Sequence, residues 1–513
     1  MKTGMTALAK LRELVARQGL EAGHPPDVMA EVRSIQADPG IEDPTLLDLT
    51  GLPFCTIDEV TSKDLDQALF IEAADDGWTV WYAIADAAWF VRPGFPLYRE
   101  ALARGATYYL PGLMIPMLPA ELSEGLVSLN PNVDRRAMVF RMRVGRSGEL
   151  EESEIVRARI HSQAKLDYGG VQAFLDGLAP APMPTDRGNT SLELLREVGL
   201  ARMQRAHQRG VVSYRRTEVD AGIEGTRFVA VGSCRHDTER YNEQISLMCN
   251  IVGAEYLMGH SRDFVEPIYR VHDAPGDARM AELREQIRTI AALHHKDPGV
   301  WLWREDESLS GFLERLPQGR VAQALHRQAI VANHPGRFQS EKAGHHGVGA
   351  EVYGRFSAPM REVVGVFLHK EVWEEKTGVR SHVASQIEAV VERANTSKRL
   401  QGQLTGQSNR LILDQMFAEN PGPWSATIMG ITRAKVHIQL DEPPIDVKVY
   451  LRHLESDDAL EVSRDGAAVV RRRDGHVVWR VGDAVSARVK GPDQAADRWA
   501  LELAPLEQPR EVG

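Results

Sequence analysis

Cysteine is scarce in this chain of 513 residues. The three cysteines, Cys55, Cys234 and Cys249, are far apart and form no Cys-x-x-Cys pair. A disulfide scaffold and a structural zinc module are therefore not expected, whereas a reducing compartment is. The chain also lacks an apolar run near the roughly 18 residues of a membrane helix, and residues 1–20 lack the apolar core of a signal peptide. We expect a cytoplasmic protein without a membrane segment.

Positive charge is in deficit. The 61 lysines and arginines face 72 aspartates and glutamates, which gives a net charge of −11 and a pI near 5.9. Taken as a sum, this charge argues against a nucleic-acid-binding protein. The hydrophobic (43%) and charged (26%) fractions are those of a globular protein, and the length predicts about three domains.

The amino-terminal part, residues 1–50, predicts two short helices over 6–18 and 26–36. The pair is compatible with a helix-turn-helix module or with a packing arm. We favour the arm because no basic recognition helix is visible.

From about residue 56 to 163 the pattern is mostly β. Segments 137–145 and 154–162 alternate cleanly, which places two arginines on one face of each predicted strand. If the strands pair, four guanidinium groups share one surface, which is either a solvated face or a phosphate-binding ladder. The arginines are Arg141, Arg143, Arg157 and Arg159.

The rest of the chain divides into a helical and a β part. Residues 191–419 are predicted to be mainly helical, with helices near 239–258, 277–296, 360–376 and 383–398, and ENPGP (419–423) is a linker. Six short alternating segments then predict a small closed β-barrel.

The densest chemical signal is an acidic cluster in TIDEVTSKDLDQALF (56–70), with Asp58, Asp64 and Asp66 on what must be largely loop. Carboxylates this close need a neutralising cation, and magnesium prefers such oxygen ligands. The spacing excludes an EF-hand. Aspartates in loops also serve as turn and cap residues, so the spacing alone leaves both interpretations open.

Five further segments follow the acidic cluster along the chain. They are VWYAIADAAWFV (80–91), ATYYLPGLMIPMLPAELSEGLVSLNP (106–131) with Arg136, RYNEQISLMCN (240–250), PIYRVHDAP (267–275) and FSAPMR (356–361) with His369. Together they strongly resemble the motifs of the ribonuclease II (RNB) family of 3′-to-5′ exoribonucleases. The resemblance covers roughly residues 52–419.

This resemblance implies an α+β multidomain fold. We expect a small helical domain over 1–50, an RNB catalytic domain over 51–419 with a mixed β-sheet and helices around an RNA channel, and an OB-type RNA-binding barrel over 420–513. It also implies a hydrolytic exoribonuclease that uses Mg²⁺ or Mn²⁺. The substrate would be RNA with a free 3′ end, single-stranded or in an overhang, and the products nucleoside 5′-monophosphates and a short end oligonucleotide. A monomer is expected.

By the same resemblance, Asp58, Asp64 and Asp66 would be metal ligands, and Asp66 and Arg361 would be catalytic. The family's fourth acidic position is Gln67 here. An amide oxygen still ligates magnesium but brings no charge, so we expect a higher magnesium requirement.

The resemblance also implies RNA contacts. Tyr168 would stack on a base near the 3′ end, with a core tyrosine as the alternative, and Arg270 would meet phosphate, with His272 orienting it. Glu243 and Asn250 would line the channel or form a buried polar pair. His369 is expected to be structural.

The departures from the motifs leave other functions open. Glu362, Val363 and Gly365 replace the basic, tyrosine and aspartate positions that usually follow Arg361. The alternatives are an RNA-binding RNB protein with impaired catalysis and a metal-dependent phosphoesterase for small molecules. Residues 1–50 are too few for the cold-shock-type barrels that family members normally carry there, so we expect a different channel entrance and better tolerance of structured RNA.

Overall fold

The computed structural model describes residues 6–214, 219–232, 235–381, 385–454, 459–493 and 498–506. Its helices are α1 (Ala7–Arg17), α2 (Pro26–Ala37), α3 (Ala87–Phe90), α4 (Pro96–Arg104), α5 (Tyr168–Leu175), α6 (Asp186–Gln208), α7 (Asp237–Met258), α8 (Asp277–Leu293), α9 (Pro298–Trp301), α10 (Leu309–Arg315), α11 (Arg320–Ala332), α12 (Val363–Thr377), α13 (Ile387–Glu419) and α14 (Leu451–Leu454). None of the helices in these ranges has both the length and the apolar composition that crossing a membrane requires.

The strands of the same ranges are β1 (Leu47–Asp48), β2 (Phe54–Asp58), β3 (Gln67–Ala74), β4 (Gly77–Ala85), β5 (Tyr108–Leu110), β6 (Leu113–Ile115), β7 (Asp134–Val144), β8 (Leu150–Asp167), β9 (Val219–Glu224), β10 (Arg227–Gly232), β11 (Tyr269–Val271), β12 (Arg337–Gln339), β13 (Trp424–Thr432), β14 (Lys435–Leu440), β15 (Asp446–Tyr450), β16 (Leu460–Val462), β17 (Ala468–Arg471), β18 (Val477–Arg480), β19 (Ala484–Asp493) and β20 (Arg498–Pro505).

The largest sheet is mixed and closes on itself. Its order is β1-β8-β2-β3-β4-β7, and the long strand β8 also pairs with β7. β1 and β2 run parallel to β8, and the other neighbours are antiparallel. The near-continuous apolar runs of β3 and β4 are explained by burial on both faces, since α6 packs on β3 and the other face lines the core. The α+β class with a mixed sheet is confirmed.

The register of β7 and β8 corrects the prediction of one arginine surface. Arg141 stands opposite Glu154, whereas Arg157 stands opposite Met138. Since directly opposed residues share a face, Arg141 and Arg143 lie on one face and Arg157 and Arg159 on the other. All four also have carboxylate partners, so they do not form a phosphate ladder.

A buried ionic triad joins the end of β4 and the start of β7 to the middle of β8. Asp86 is fully buried, and its Oδ2 lies 3.1 Å from Nε of Arg157 and 3.6 Å from Nε of Arg136. The two guanidinium groups lie over the rings of Trp373 and Trp89, at 4.3 Å and 4.2 Å from the ring centroids. Burial lowers the pKa of Arg157 from its ordinary value, and Asp86 opposes that effect.

The two amino-terminal helices pack on different parts of the molecule. Leu11 of α1 is in a small apolar cluster with α13 and the hairpin β9–β10, whereas Val28 and Val32 of α2 are in the main core. Thr6 caps α1 by accepting a hydrogen bond from the Ala9 N–H (3.2 Å). Each helix thus buries its apolar side chains against a different part of the molecule, as expected for a packing arm.

The carboxy-terminal strands form a five-stranded antiparallel sheet, in the order β15-β14-β13-β19-β20, and a three-stranded sheet of β16, β17 and β18. The outer strands β15 and β20 lie against each other, so the larger sheet curls into the expected barrel.

Helices α8, α9, α10 and α11 share their apolar core with this barrel rather than with the large sheet. His294, after α8, lies with Nε2 2.8 Å from the carbonyl oxygen of Val481. α13 spans both cores, with Val390 in the first and Phe417 in the second. Packing thus crosses the predicted boundary at 419/420, and the division into 1–50, 51–419 and 420–513 stays a prediction.

Asp86→Ala is expected to lower the free energy of unfolding by about 3–5 kcal/mol, because it leaves the buried Arg157 without its carboxylate partner and Arg136 with Asp43 alone (3.2 Å). Urea unfolding measures this loss. Glu154→Ala breaks the exposed pair with Arg141 (3.8 Å) and should cost less than about 1 kcal/mol. Equal losses in the two variants would contradict this account of the triad.

His369 on α12 makes stability depend on pH. It is fully buried, its Nε2 lies 2.9 Å from the carbonyl oxygen of Phe356, and burial lowers its pKa from 6.5 to about 4. Between these values the unfolded chain binds a proton that the folded chain does not. The stability is therefore present above pH 6.5 and is lost as the pH falls towards 4, by about 3 kcal/mol from this group.

His369→Asn keeps an N–H donor but does not titrate. The variant should therefore lose less stability than the natural chain between pH 7.5 and 4.5, by about 2–3 kcal/mol in urea unfolding. Identical pH dependences would show that His369 is not the group responsible.

Candidate active site

Parallel pairing of β2 and β8 places two of the predicted site residues side by side. Asp58 ends β2 and stands opposite Asp167, the last residue of β8, so Tyr168 at the start of α5 follows directly beside it. The Asp58 carboxylate accepts hydrogen bonds from the Glu59 N–H (2.8 Å) and the Ser62 hydroxyl (2.9 Å). Burial, and then Asp58, raise the pKa of Tyr168 to about 12.

The loop that carries Asp64 and Asp66 is held by Ser128. The Ser128 hydroxyl donates to the Lys63 carbonyl oxygen (2.8 Å) and accepts from the Leu65 N–H (2.9 Å). The N–H of Leu129 donates to the carbonyl oxygen of Leu65 (2.9 Å). The Val-Ser-Leu-Asn-Pro segment of the sequence therefore fixes the loop from which Asp66 enters the core.

Asn250 holds the second half of the site. Its Oδ1 accepts from the N–H groups of Phe356 (2.6 Å) and Ser357 (3.1 Å), and its Nδ2 donates to the hydroxyls of Tyr353 (3.0 Å) and Ser357 (3.1 Å). Asn250 is 0% exposed. The prediction that it contacts RNA is therefore wrong, because its amide is enclosed and fully engaged in positioning the loop before Arg361.

Asp66 and Arg361 meet at the centre of the site. Nε of Arg361 donates to Oδ2 of Asp66 (2.6 Å), and the Met360 N–H donates to Oδ1 (3.0 Å). Asp66 is 1% exposed. Burial raises its pKa to about 6, even though Arg361 acts in the opposite direction, and Asp64 adds to the rise. A single guanidinium thus leaves this carboxylate short of positive charge.

Tyr109 is a site residue that the sequence reasoning missed. Its hydroxyl donates to Oδ2 of Asp64 (2.6 Å). In β5, the side chain of Tyr108 is buried against α1 and α13, and period two turns Tyr109 the other way, with 52% of its surface exposed. The sequence did contain a signal for this residue. Two successive tyrosines in a strand (ATYYLPG) must point to opposite faces, so one of them was available for the site.

Both polar atoms of the Gln67 side-chain amide form hydrogen bonds. Its Nε2 donates to the carbonyl oxygen of Ser357 (2.6 Å), and its Oε1 accepts from the hydroxyl of Tyr82. It ties β3 to the loop before Arg361. Its role as a metal ligand stays a prediction.

The donor set fits a hard divalent cation in its chemistry. Asp58, Asp64 and Asp66 supply carboxylate oxygens, and all three act electrostatically on Arg361. Across the described ranges, however, no three His, Cys, Asp or Glu side chains are gathered closely enough to form a ready-made metal cage. Each of the three carboxylates is instead held by protein donors.

The remaining predicted residues lie on α7, in β11 and directly after β11. Glu243 is exposed on α7, with Oε2 2.7 Å from Nη2 of Arg235. Arg270 lies in β11, with its guanidinium 5.4 Å from the centroid of Phe338. His272 accepts from the Gly347 N–H at Nδ1 (3.0 Å) and thereby holds a loop.

The chain is similar to proteins of known family. The RNB domain model matches residues 47–374. Ribonuclease R of Escherichia coli strain K12 is 28% identical over 488 residues, which cover 91% of this chain and 58% of that protein. Exoribonuclease 2 of Enterobacter sp. strain 638 is 28% identical over 498 residues, which cover 93% of this chain and 72% of that protein.

The chain spans just over half the length of the ribonuclease R proteins it matches (54% and 58% in two of them). Among solved structures, Mycoplasma genitalium RNase R in complex with ribose-methylated single-stranded RNA superposes with a TM-score of 0.88 at 19% identity, over 97% of this chain and 78% of that one. The two chains thus share one fold. The family model matches residues 47–374, which is more than half of this chain, so the chain belongs to the RNB domain family.

Proposed function

We propose that this chain is a metal-dependent exoribonuclease that hydrolyses RNA from its 3′ end. It would release nucleoside 5′-monophosphates and leave a short end oligonucleotide. The observation that carries the proposal is the pair of the buried Asp66 with the partly exposed Arg361, with Asp58, Asp64 and Tyr109 around it. Carboxylates that hold a metal ion, together with a guanidinium that binds phosphate, are a set of groups suited to phosphodiester hydrolysis.

Arg361 would bind the scissile phosphate. Because its Nε holds Asp66, bidentate contact with the phosphate would come from Nη1 and Nη2. The ion pair fixes the guanidinium before substrate arrives, so less side-chain freedom is lost on binding. About a third of the side chain (31%) is exposed, which leaves it open to substrate.

Two aromatic side chains would receive the 3′-terminal nucleotides. Tyr168 stands beside Asp58, and Tyr109 stands beside Asp64 with half of its surface exposed. Stacking on such rings contributes about 1–3 kcal/mol per base and tolerates any sequence. Glu243 and Arg270 are proposed as further RNA contacts.

Asp58, Asp64 and Asp66 would hold magnesium or manganese. Such an ion, when bound, lowers the pKa of a water molecule and neutralises charge on the phosphoryl oxygens. In the hydrolysis, water oxygen bonds to phosphorus and the bond from phosphorus to the 3′ oxygen of the penultimate nucleotide breaks. That oxygen takes up a proton, and the terminal nucleotide leaves with a 5′-phosphate.

A catalytically impaired RNA-binding protein is the alternative suggested by Gln67 and Glu362. The three aspartates and the arginine are all present, Asp66 contacts Arg361, and Asp58 and Asp64 also act electrostatically on Arg361, which favours an active enzyme. Binding without cleavage in the assay below would select the alternative. If the chain neither binds nor cleaves RNA, the remaining interpretation is a phosphoesterase that acts on small molecules.

Asp66→Asn is expected to abolish most cleavage while RNA binding stays within a few-fold. Loss of the ionised carboxylate should slow hydrolysis by at least about a hundredfold, since metal-assisted charge stabilisation supplies several kcal/mol. The measurement uses 5′-labelled single-stranded RNA with magnesium or with a chelator. The natural chain should give a magnesium-dependent ladder that shortens from the 3′ end.

The matched control is Asp76→Asn, at an exposed turn between β3 and β4. It makes the same chemical change and should cleave like the natural chain. Undiminished cleavage by the Asp66→Asn protein, or a ladder that persists in chelator, would refute the proposed site.

Gln67→Asp is expected to lower the magnesium concentration needed for half-maximal cleavage, because a carboxylate adds charge next to Asp66. Titration with magnesium at saturating RNA measures this value. An unchanged requirement would mean that Gln67 acts only through its hydrogen bonds to Tyr82 and Ser357.

A further inference from the structure

A cluster of three cations surrounds Glu362, the residue that follows Arg361. Oε1 of Glu362 lies 2.9 Å from Nζ of Lys398 and 3.2 Å from both Nε and Nη2 of Arg355. Arg270 is the third cation: its backbone N–H donates to the carbonyl oxygen of Tyr353 (2.7 Å), two residues before Arg355, and Glu362 is the leading electrostatic influence that favours its charged form. The cluster thus joins β11, the loop before α12, and α13.

The backbone fixes Glu362 in this position. Its N–H donates to the carbonyl oxygen of Ala358 (3.0 Å), and its carbonyl oxygen accepts from the Gly365 N–H (2.9 Å). Burial alone would raise the pKa of Glu362, but Arg355 and then Lys398 outweigh it and hold the pKa at about 2. Glu362 is therefore an anion at neutral pH.

The charges in this cluster do not balance. Among the described residues, one carboxylate faces three cations, and the contacts of Arg355 and Lys398 all converge on a single oxygen of that carboxylate. Burial lowers the pKa values of Arg270 and Lys398, so both cations are partly stripped of water. An excess of positive charge in a partly desolvated place favours a bound anion.

The cluster is open to a ligand and lies next to the catalytic arginine. The Arg355 and Lys398 side chains are 29% and 34% exposed, whereas that of Glu362 is 9% exposed. Arg355 lies within electrostatic range of Arg361. An anion bound at Arg355 and Lys398 would therefore neighbour the group that Arg361 holds.

We propose that Arg270, Arg355 and Lys398 form a second phosphate-binding site beside Arg361, in which Glu362 is an internal competitor of the incoming phosphate. The phosphate group belongs either to the RNA chain or to the released nucleotide. When the site fills, Lys398 and Arg355 share their contacts between Glu362 and the ligand. Glu362 thereby limits how tightly the site holds RNA, so that the shortened RNA advances after each cleavage.

This inference rests on the proposed function, since it places RNA at Arg361. It goes beyond that function by assigning Arg355, Lys398 and Glu362, which the motif resemblance did not assign. The resemblance in fact places a basic residue at position 362.

The test measures RNA binding by the full chain in chelator, so that no cleavage interferes, as a function of salt. Lys398→Gln should weaken RNA binding several-fold and reduce the slope of log affinity against log salt by about 0.7, the value for one contact to a single strand. Glu362→Gln should strengthen binding and steepen the slope by a similar amount. A merely structural role for either residue would not move the slope.

Arg399→Gln is the matched control, because it removes one positive charge from the exposed neighbour of Lys398 on α13. Its salt slope should equal that of the natural chain. Lys398→Gln keeps the pair of Glu362 with Arg355 and so remains informative if Glu362→Gln does not fold, which unfolding curves of each variant will show.

Inhibition by a nucleoside 5′-monophosphate separates the two sources of phosphate. A changed RNA slope assigns the site to the RNA chain, and a weaker inhibition of Lys398→Gln with an unchanged slope assigns it to the released nucleotide. If both quantities equal those of the control, the phosphate site is refuted while RNA cleavage stands. If the natural chain does not bind RNA at all, it is the proposed function that fails.

Discussion

The ion pair between Asp66 and Arg361 is the contact on which the candidate site depends. The two residues are 295 positions apart in the chain, and each is held from behind. Ser128 fixes the loop of Asp66, and Asn250 fixes the loop of Arg361. A carboxylate enclosed at this depth is stable only beside positive charge, so the pair orders the sheet and the helical half of the molecule around one point. The same need for positive charge makes the place suitable for a cation.

Much of this arrangement could be predicted from the sequence. Alternation in β7 and β8, the apolar runs of β3 and β4, and the helical periodicity of α7 and α8 are local signals, and they gave the right elements. The grouping of Asp58, Asp64, Asp66 and Arg361 came from the order of motifs rather than from any single spacing. Spacing alone does not distinguish metal ligands from turn residues, because both need short polar side chains in loops.

What could not be predicted depends on long-range packing. The two arginine pairs lie on opposite faces because the register of β7 and β8 is set by their whole pairing, not by either strand. Asn250 turned out to be a structural residue because its partners are more than a hundred positions away. Similarly, nothing local in α8–α11 shows that these helices share a core with the barrel. Under the proposed function, the net charge of −11 is a poor guide for a related reason, since the cations that would meet RNA are concentrated at Arg361 and in the Glu362 cluster.

The most direct measurement of the central claim is the position of the oxygen that water contributes to the products. The protein would digest single-stranded RNA in ¹⁸O-labelled water with magnesium present, and mass spectrometry would measure the masses of the products. The proposed hydrolysis should yield nucleoside 5′-monophosphates that each carry one labelled oxygen on the phosphate, and a shortened RNA with an unlabelled 3′ hydroxyl. Labelled phosphate at the 3′ end of the shortened RNA, or no released mononucleotides, would contradict it.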